Sequence, residues 1–279
     1  MAQRDVKRFF ILIVYFLFLF LFLFVVYFLF KADPSCFDGK HNQGEDATDC
    51  GGPCVPCSEI IKLQPIKIES VEWIHDIENK YDVVAEVVNP NDVFGVVMVR
   101  YQAKVKNGSE GMSYESKWQE SFILPGESKY LFVQGFEIDA SLGDSANIEV
   151  IIDEDSVVWE KFKSYEEPNL IINNPGYEEV SGGGVGFGRA FGTIINRSNV
   201  DLEIVRVKVL LFDDKGKLLA VNSQIMNTLT AGEFRDYVIN FPHRFPGSVS
   251  NVKAFPESNP FDSENYIRVY GRPDKWDER

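Results

Sequence analysis

From Phe9 to Phe30 the chain runs twenty-two residues made only of Phe, Ile, Leu, Val and Tyr, with no charge, Gly or Pro. At about 1.5 Å per residue this run would span roughly 33 Å as a helix, against a bilayer hydrocarbon core of about 30 Å. A buried core helix would be shorter and amphipathic. Arg4, Lys7 and Arg8 precede the run, while Lys31 alone follows it before Asp33. The positive-inside rule then leaves the N-terminus in the cytoplasm. A cleaved signal peptide has an apolar region of about 7 to 15 residues and a small-x-small site. Here the run is longer and ends Leu-Phe-Lys-Ala-Asp, which predicts an uncleaved signal anchor. Cys36 follows Asp33, Pro34 and Ser35, not the small apolar stretch that a lipoprotein needs.

About 250 residues would remain outside, enough for two domains of ordinary size. The net charge of −14 belongs to this exterior part, because the N-terminal stub is itself positive. An acidic, Phe-rich surface has no electrostatic footprint for DNA or RNA, so nucleic acid is not an expected partner. The membrane, through residues 9–30, and other envelope proteins are.

All four cysteines, Cys36, Cys50, Cys54 and Cys57, fall in one stretch with the spacing C-x13-C-x3-C-x2-C. In an oxidising exterior a clustered, even set predicts two disulfides stapling a segment too small for its own core. The three possible pairings stay open. A four-thiolate zinc site is the rival, since Cys54 and Cys57 have ligand-like spacing, but the exterior location argues against it. Asp38, Asn42, Glu45 and Asp49 add oxygen ligands among glycines, which would suit Ca²⁺. The spacing is not that of an EF-hand loop, and the plainer alternative is a turn-rich loop whose Asx side chains bond their own backbone. The pattern C-x-D-G-x-x-N-x-x-E-x-x-x-D-C-G-G-x-C-x-x-C resembles a short motif of exported bacterial and archaeal surface proteins, which implies an exterior location.

Past Ser58 the period is that of strands, in segments such as KIESVEW, YDVVAEVVN, FGVVMVRYQAKVKN, KWQESFIL, SKYLFVQGFEI and ANIEVIIDEDSVVWEKF. Turn signals NPND, NGSEG and PGES separate them, the rhythm of a β-sandwich. A second unit repeats the order about 105 residues later. Val87-Val88-Asn89 aligns with Ile194-Ile195-Asn196, Val96 to Val105 with Glu203 to Phe212, and Leu124-Pro125-Gly126-Glu127 with Leu229 to Glu233. In the second copy, Gly-x-Ile-Ile-Asn, a strand ending Leu211-Phe212-Asp213, the turn Asp214 to Lys217 and Ala231-Gly232-Glu233 resemble the FxLYD family of small sandwich domains. That resemblance implies a sandwich fold and a noncatalytic, extracytoplasmic role, and it assigns no functional residues here.

The expected fold class is therefore mainly β, with an N-terminal transmembrane helix, a small disulfide-rich segment and two immunoglobulin-like β-sandwich domains. The boundaries are 1–8 for a cytoplasmic stub, 9–30 for the anchor and 31–58 for the cysteine-rich segment. The first sandwich takes 59–166, a Gly-rich linker or lead-in strand 167–188, and the second sandwich with its tail 189–279.

No catalytic motif accompanies His41, His75 or His243. The run Asp153-Glu154-Asp155 would serve a carboxylate hydrolase only if two carboxyls faced one cleft, and a solvated edge is the simpler reading. Trp73, Trp118 and Trp159 read as core, and Trp276 as an exposed contact. Asn107-Gly108-Ser109 and Asn196-Arg197-Ser198 are glycosylation sequons. The expected function is a noncatalytic, membrane-anchored binding or scaffold module, with a subunit of a larger envelope or secretion complex and an extracytoplasmic hydrolase as alternatives. No cofactor is required, and Ca²⁺ is a candidate only at the cysteine-rich segment.

Overall fold

A computed structural model describes residues 2–30, 36, 40–57, 63–106, 114–139, 146–161, 166–180, 186–270 and 274–275, with side chains in the first helix at 8, 9 and 11–24. The chain divides into two compact units, Met1–Lys62 with Asp277–Arg279, and Leu63–Trp276. Helix α1 (Ala2–Phe30) covers the apolar run. Among the described residues no helix is long and apolar enough to cross a membrane. The expected membrane span is thus not among the features that the structure establishes.

The second unit is mainly β. Its first half contains β1 (Lys67–His75), β2 (Lys80–Val88), β3 (Phe94–Val105), β4 (Gln119–Ile123), β5 (Ser128–Glu137) and β6 (Ile148–Lys161). Its second half contains β7 (Leu170–Glu179), β8 (Gly188–Asn196), β9 (Leu202–Phe212), β10 (Leu218–Leu229), β11 (Phe234–Phe241) and β12 (Asn251–Glu257). Helix α2 (Glu264–Tyr270) and the short β13 (Asp274–Lys275) follow. The sheets run β1-β2-β5 and β13-β6-β3-β4 in the first half, and β11-β8-β7 and β10-β9-β12 in the second, all pairs antiparallel. Each pair of sheets encloses one apolar core, built around Val83, Ala85, Val99 and Leu131 in the first and Ile194, Val205, Val207 and Tyr237 in the second. This is a sandwich-like arrangement, formed because alternate residues of each strand point to one face.

The repeat read from sequence recurs in hydrogen bonds. Asn89 and Asn196 are both fully buried. Asn89 Nδ2 donates to the carbonyls of Phe94 and Leu124 at 2.7 and 2.9 Å, and Asn196 Nδ2 donates to those of Val200 and Leu229 at 2.9 and 3.0 Å. Glu127 Oε2 accepts from the Leu124 N–H, and Glu233 Oε2 from the Thr230 N–H. Each half therefore locks the end of one strand to the turn before another with the same Asn and Gly-Glu pair. One alignment shifts: Val96, Val99, Tyr101 and Ala103 face the first core, while Leu202, Val205, Val207 and Val209 face the second. Val96 therefore matches Leu202, not Glu203. A slip of one residue would have turned every side chain to the other face.

Within 167–188, β7 occupies Leu170–Glu179 and pairs with β8. The Val180 N–H donates to Phe187 O, closing a β7–β8 hairpin, and Ser181–Val185 lie outside the described residues. The glycines serve the close approach. A Cβ on Gly188 would meet Tyr177 Oη at 2.1 Å, and one on Gly192 would meet Tyr237 Oη at 2.6 Å.

Candidate functional site

The cysteine-rich segment is closed by Cys36–Cys54 and Cys50–Cys57. These bonds select one of the three pairings and leave no thiolate for zinc. Glu45 is buried at the centre of the loop. Its Oε2 accepts from the N–H of Asn42 at 3.1 Å and of Asp49 at 3.3 Å, and its Oε1 lies 3.3 Å from Cys54 Sγ. His41 Nε2 lies 2.6 Å from Glu45 O. Asp38 lies outside the described residues. Glu45 is thus turned inward onto the loop's own backbone. The Gly-Gly after Cys50 is a packing requirement, since a Cβ on Gly52 would meet Gly44 O at 2.2 Å.

The site that sequence reasoning missed is the seam between the sandwiches. Val84 of β2 and Phe132 of β5 form one apolar cluster with Leu210 and Phe212 of β9 and Leu218 and Val221 of β10. The outer face of β1-β2-β5 is therefore packed on the outer face of β10-β9-β12, giving four stacked sheets. Glu257 of β12 is the polar hub. Its Oε2 lies 3.0 Å from Lys129 Nζ and its Oε1 3.0 Å from Lys208 Nζ, with the lysine side chains only 3% and 7% exposed. Lys208 Nζ also donates to Tyr130 O at 2.8 Å. Lys129 Nζ sits 3.2 Å from the Phe122 ring centroid, a cation–π contact.

Burial drives the Lys208 ammonium down to about 8, with Glu257 pulling the other way. Burial would raise the Glu257 carboxyl, yet Lys129 and Lys208 outweigh it and hold it below the ordinary value. These shifts mark a desolvated ionic lock, and every one of its charges is engaged inside the seam.

Two clefts open along the seam. One, of about 430 Å³, is lined by Met98, Tyr101 and Phe122 from the first sandwich and by Arg206, Lys208 and Glu257 from the second. The other, of about 180 Å³, gathers His75, Asp76, Asp82, His243 and Arg244. It brings together two histidines that stand far apart in sequence. Burial raises the Asp82 carboxyl to about 6, opposed by the Gly135 N–H and assisted by Asp76. That N–H donates to Asp82 Oδ1 at 2.9 Å. Among the described residues, the sole group of three or more potential metal ligands within 4.8 Å of one another is Cys36, Glu45 and Cys54. Both of those cysteines are in the disulfide.

The remaining sequence candidates fall apart spatially or become structural. Asp153 is ion-paired with Arg100 at 2.5 Å. The β3–β6 pairing jumps from Met98↔Val158 to Arg100↔Asp153, so the acidic run sits on a bulge that the Ser156 hydroxyl closes by accepting the Arg100 N–H at 2.9 Å. Trp73 and Trp159 pack on the first core, but Trp118 is 45% exposed with the Arg100 guanidinium 6.0 Å from its ring. Trp276 and Asn107 lie outside the described residues. Asn196 is no glycan acceptor in the folded chain, because its amide is buried and spent on backbone carbonyls.

No family model and no curated protein matches the chain. Among solved structures it is similar to one described as the crystal structure of calcium binding domain CBD12 of CALX1.1. The two share 15% identity and a TM-score of 0.19, over 69% of this chain and 82% of that one. A likeness that slight carries no argument about fold or ligand.

Proposed function

We propose that the protein is a single-pass envelope component. The apolar helix α1 is its anchor, and the disulfide-closed segment and two FxLYD-like, immunoglobulin-like sandwiches stand outside as a noncatalytic binding or scaffold module. The observation that carries this reading is the surface of α1. Every described apolar side chain on it, from Phe9 and Ile11 to Phe24, is exposed by 39% or more. A helix apolar all round is stable only when lipid or protein covers it. Two further features agree. The four cysteines are paired as disulfides, the state of an oxidising exterior. The sandwiches share a buried seam, which suits a stiff spacer better than two hinged modules. Ca²⁺ is the remaining candidate ligand of the cysteine-rich loop, through Asp38, Asn42, Glu45 and Asp49, and the inward turn of Glu45 weighs against it.

The native cysteines are oxidised, so a single introduced thiol reports topology. Glu154→Cys on the first sandwich should react with a membrane-impermeant maleimide on intact cells. Gln3→Cys should react only after lysis. Labelling of Glu154→Cys only after lysis, or release of the protein from membranes by alkaline carbonate, would overturn the reading.

A further inference from the structure

The two halves of the repeat treat one pair of positions differently. Val84 lies five residues before Asn89 and Phe132 five after Glu127; Phe191 lies five before Asn196 and Val238 five after Glu233. Both pairs are direct cross-strand neighbours, Val84↔Phe132 and Phe191↔Val238. Equivalent strands therefore present an equivalent apolar pair on the outer face of the equivalent sheet. In the first sandwich that pair is buried under Leu210 and Leu218. In the second it is open: Phe191 is 37% exposed and Val238 46%.

A second apolar row lies further along the same face, beyond the polar pair Thr193 and Asp236. Phe234 is opposite Ile195, which is opposite Ile171, and Phe234 is 73% exposed. Gly176 lies beside Phe191, with the ring where a Cβ would stand. The result is two parallel apolar rows across a three-stranded sheet, facing out.

We propose that this outer face of β11-β8-β7 is the surface through which two copies of the chain pair. Three observations choose a second copy as the occupant. The equivalent face of the first sandwich is closed by another sheet face of this same chain, so the interface continues an arrangement the protein already uses. The charges on the face are of both signs, Arg189 paired with Glu178 and Asp236 hydrogen-bonded to Thr193. With one arginine against two carboxylates, the face is close to neutral in a chain of net charge −14, so two copies approach there with little repulsion. Finally, open-ended stacking is blocked. In the first sandwich the sheet corresponding to the β10-β9-β12 acceptor carries the Lys104–Glu115 and Lys106–Glu149 ion pairs where the acceptor has the apolar Leu210 and Phe212. A face-to-face, two-fold contact uses the same patch twice and closes.

The full chain, purified in detergent, tests this by sedimentation equilibrium. Wild type should be a dimer at micromolar concentration. Val238→Asp and Phe234→Ser, both at exposed positions, should each weaken pairing about 30-fold or more while leaving the thermal melt in place. Glu154→Gln, on the other sandwich, should pair as wild type does. Thr193→Cys, at the middle of the face, should form a disulfide-linked dimer on oxidation. A wild-type monomer throughout, or a dimer that neither substitution weakens, would overturn the proposal. The anchor reading is scored separately by the labelling experiment, so failure of one leaves the other standing.

Discussion

Removing the Glu257 carboxylate should loosen the two sandwiches from each other. Glu257→Gln keeps the shape of the side chain but leaves Lys129 and Lys208, with side chains 3% and 7% exposed, facing each other without a counter-charge. Breaking a buried pair from one side costs about 3–5 kcal/mol. Part of that cost is capped here. Lys208 already titrates near 8, so shedding its proton near pH 7 limits its share to about 1 kcal/mol. The rest falls on Lys129, giving a loss of about 3 kcal/mol near neutrality. The sign with pH follows. A lysine depressed in the folded state is penalised below its folded pKa, and the penalty fades as pH rises through it. By about pH 9 Lys208 is neutral in wild type too, and the loss should shrink by about 1 kcal/mol.

Urea denaturation of the full chain in detergent reads this directly. Trp73 and Trp159 pack on the first core, so fluorescence follows the first sandwich while far-ultraviolet circular dichroism follows both. The two transitions should coincide in wild type and separate in Glu257→Gln. Replacing Lys129, Glu257 and Lys208 together by Met, Leu and Met should restore most of the stability. A loss under about 1 kcal/mol for the single change, or one that grows from neutral to alkaline pH, would refute the ionic-lock argument.

At Asp82, burial lifts the folded carboxyl to about 6, so stability falls as pH rises from about 4 to 6, where the unfolded chain releases a proton that the folded chain keeps. Asp82→Asn should therefore stabilise near pH 7 by up to about 3 kcal/mol and have no effect near pH 3.5, as read from urea midpoints across pH. A gain confined to acid would reverse the sign and sink the assignment. Asn196→Ala removes the buried amide that serves the Val200, Leu229 and Thr230 carbonyls, with an expected cost of about 2–4 kcal/mol in chemical denaturation. In a glycosylating host, peptide mass spectrometry should find Asn196 bare; a glycan there would mean the buried amide is not the native state. Millimolar Ca²⁺ should leave the melting temperature within about 2 °C of that in chelator, and a larger rise would restore calcium to the cysteine-rich loop.

Strand period, turn positions and the doubling of the unit were legible in the linear order, because alternation and Gly, Pro and Asn chemistry act between neighbours a few residues apart. The buried Asn and Gly-Glu pair of each half is such a local signature, visible as Asn89 with Glu127 and Asn196 with Glu233. One long-range clue was also present. Val83-Val84-Ala85 and Val209-Leu210-Leu211-Phe212 are short unbroken apolar runs within otherwise alternating strands, as expected where both faces are covered. What composition and spacing left open was which face each run covers. The disulfide pairing, the stacking of β1-β2-β5 on β10-β9-β12, the meeting of Lys129 and Lys208 at Glu257, and the exposure of Phe191 and Val238 all join residues brought together only by the fold. Periodicity says that a strand has an inside and an outside. Whether the outside meets water or another sheet depends on the three-dimensional path between the halves, and the two copies of one pattern, Val84–Phe132 and Phe191–Val238, end in opposite environments for that reason.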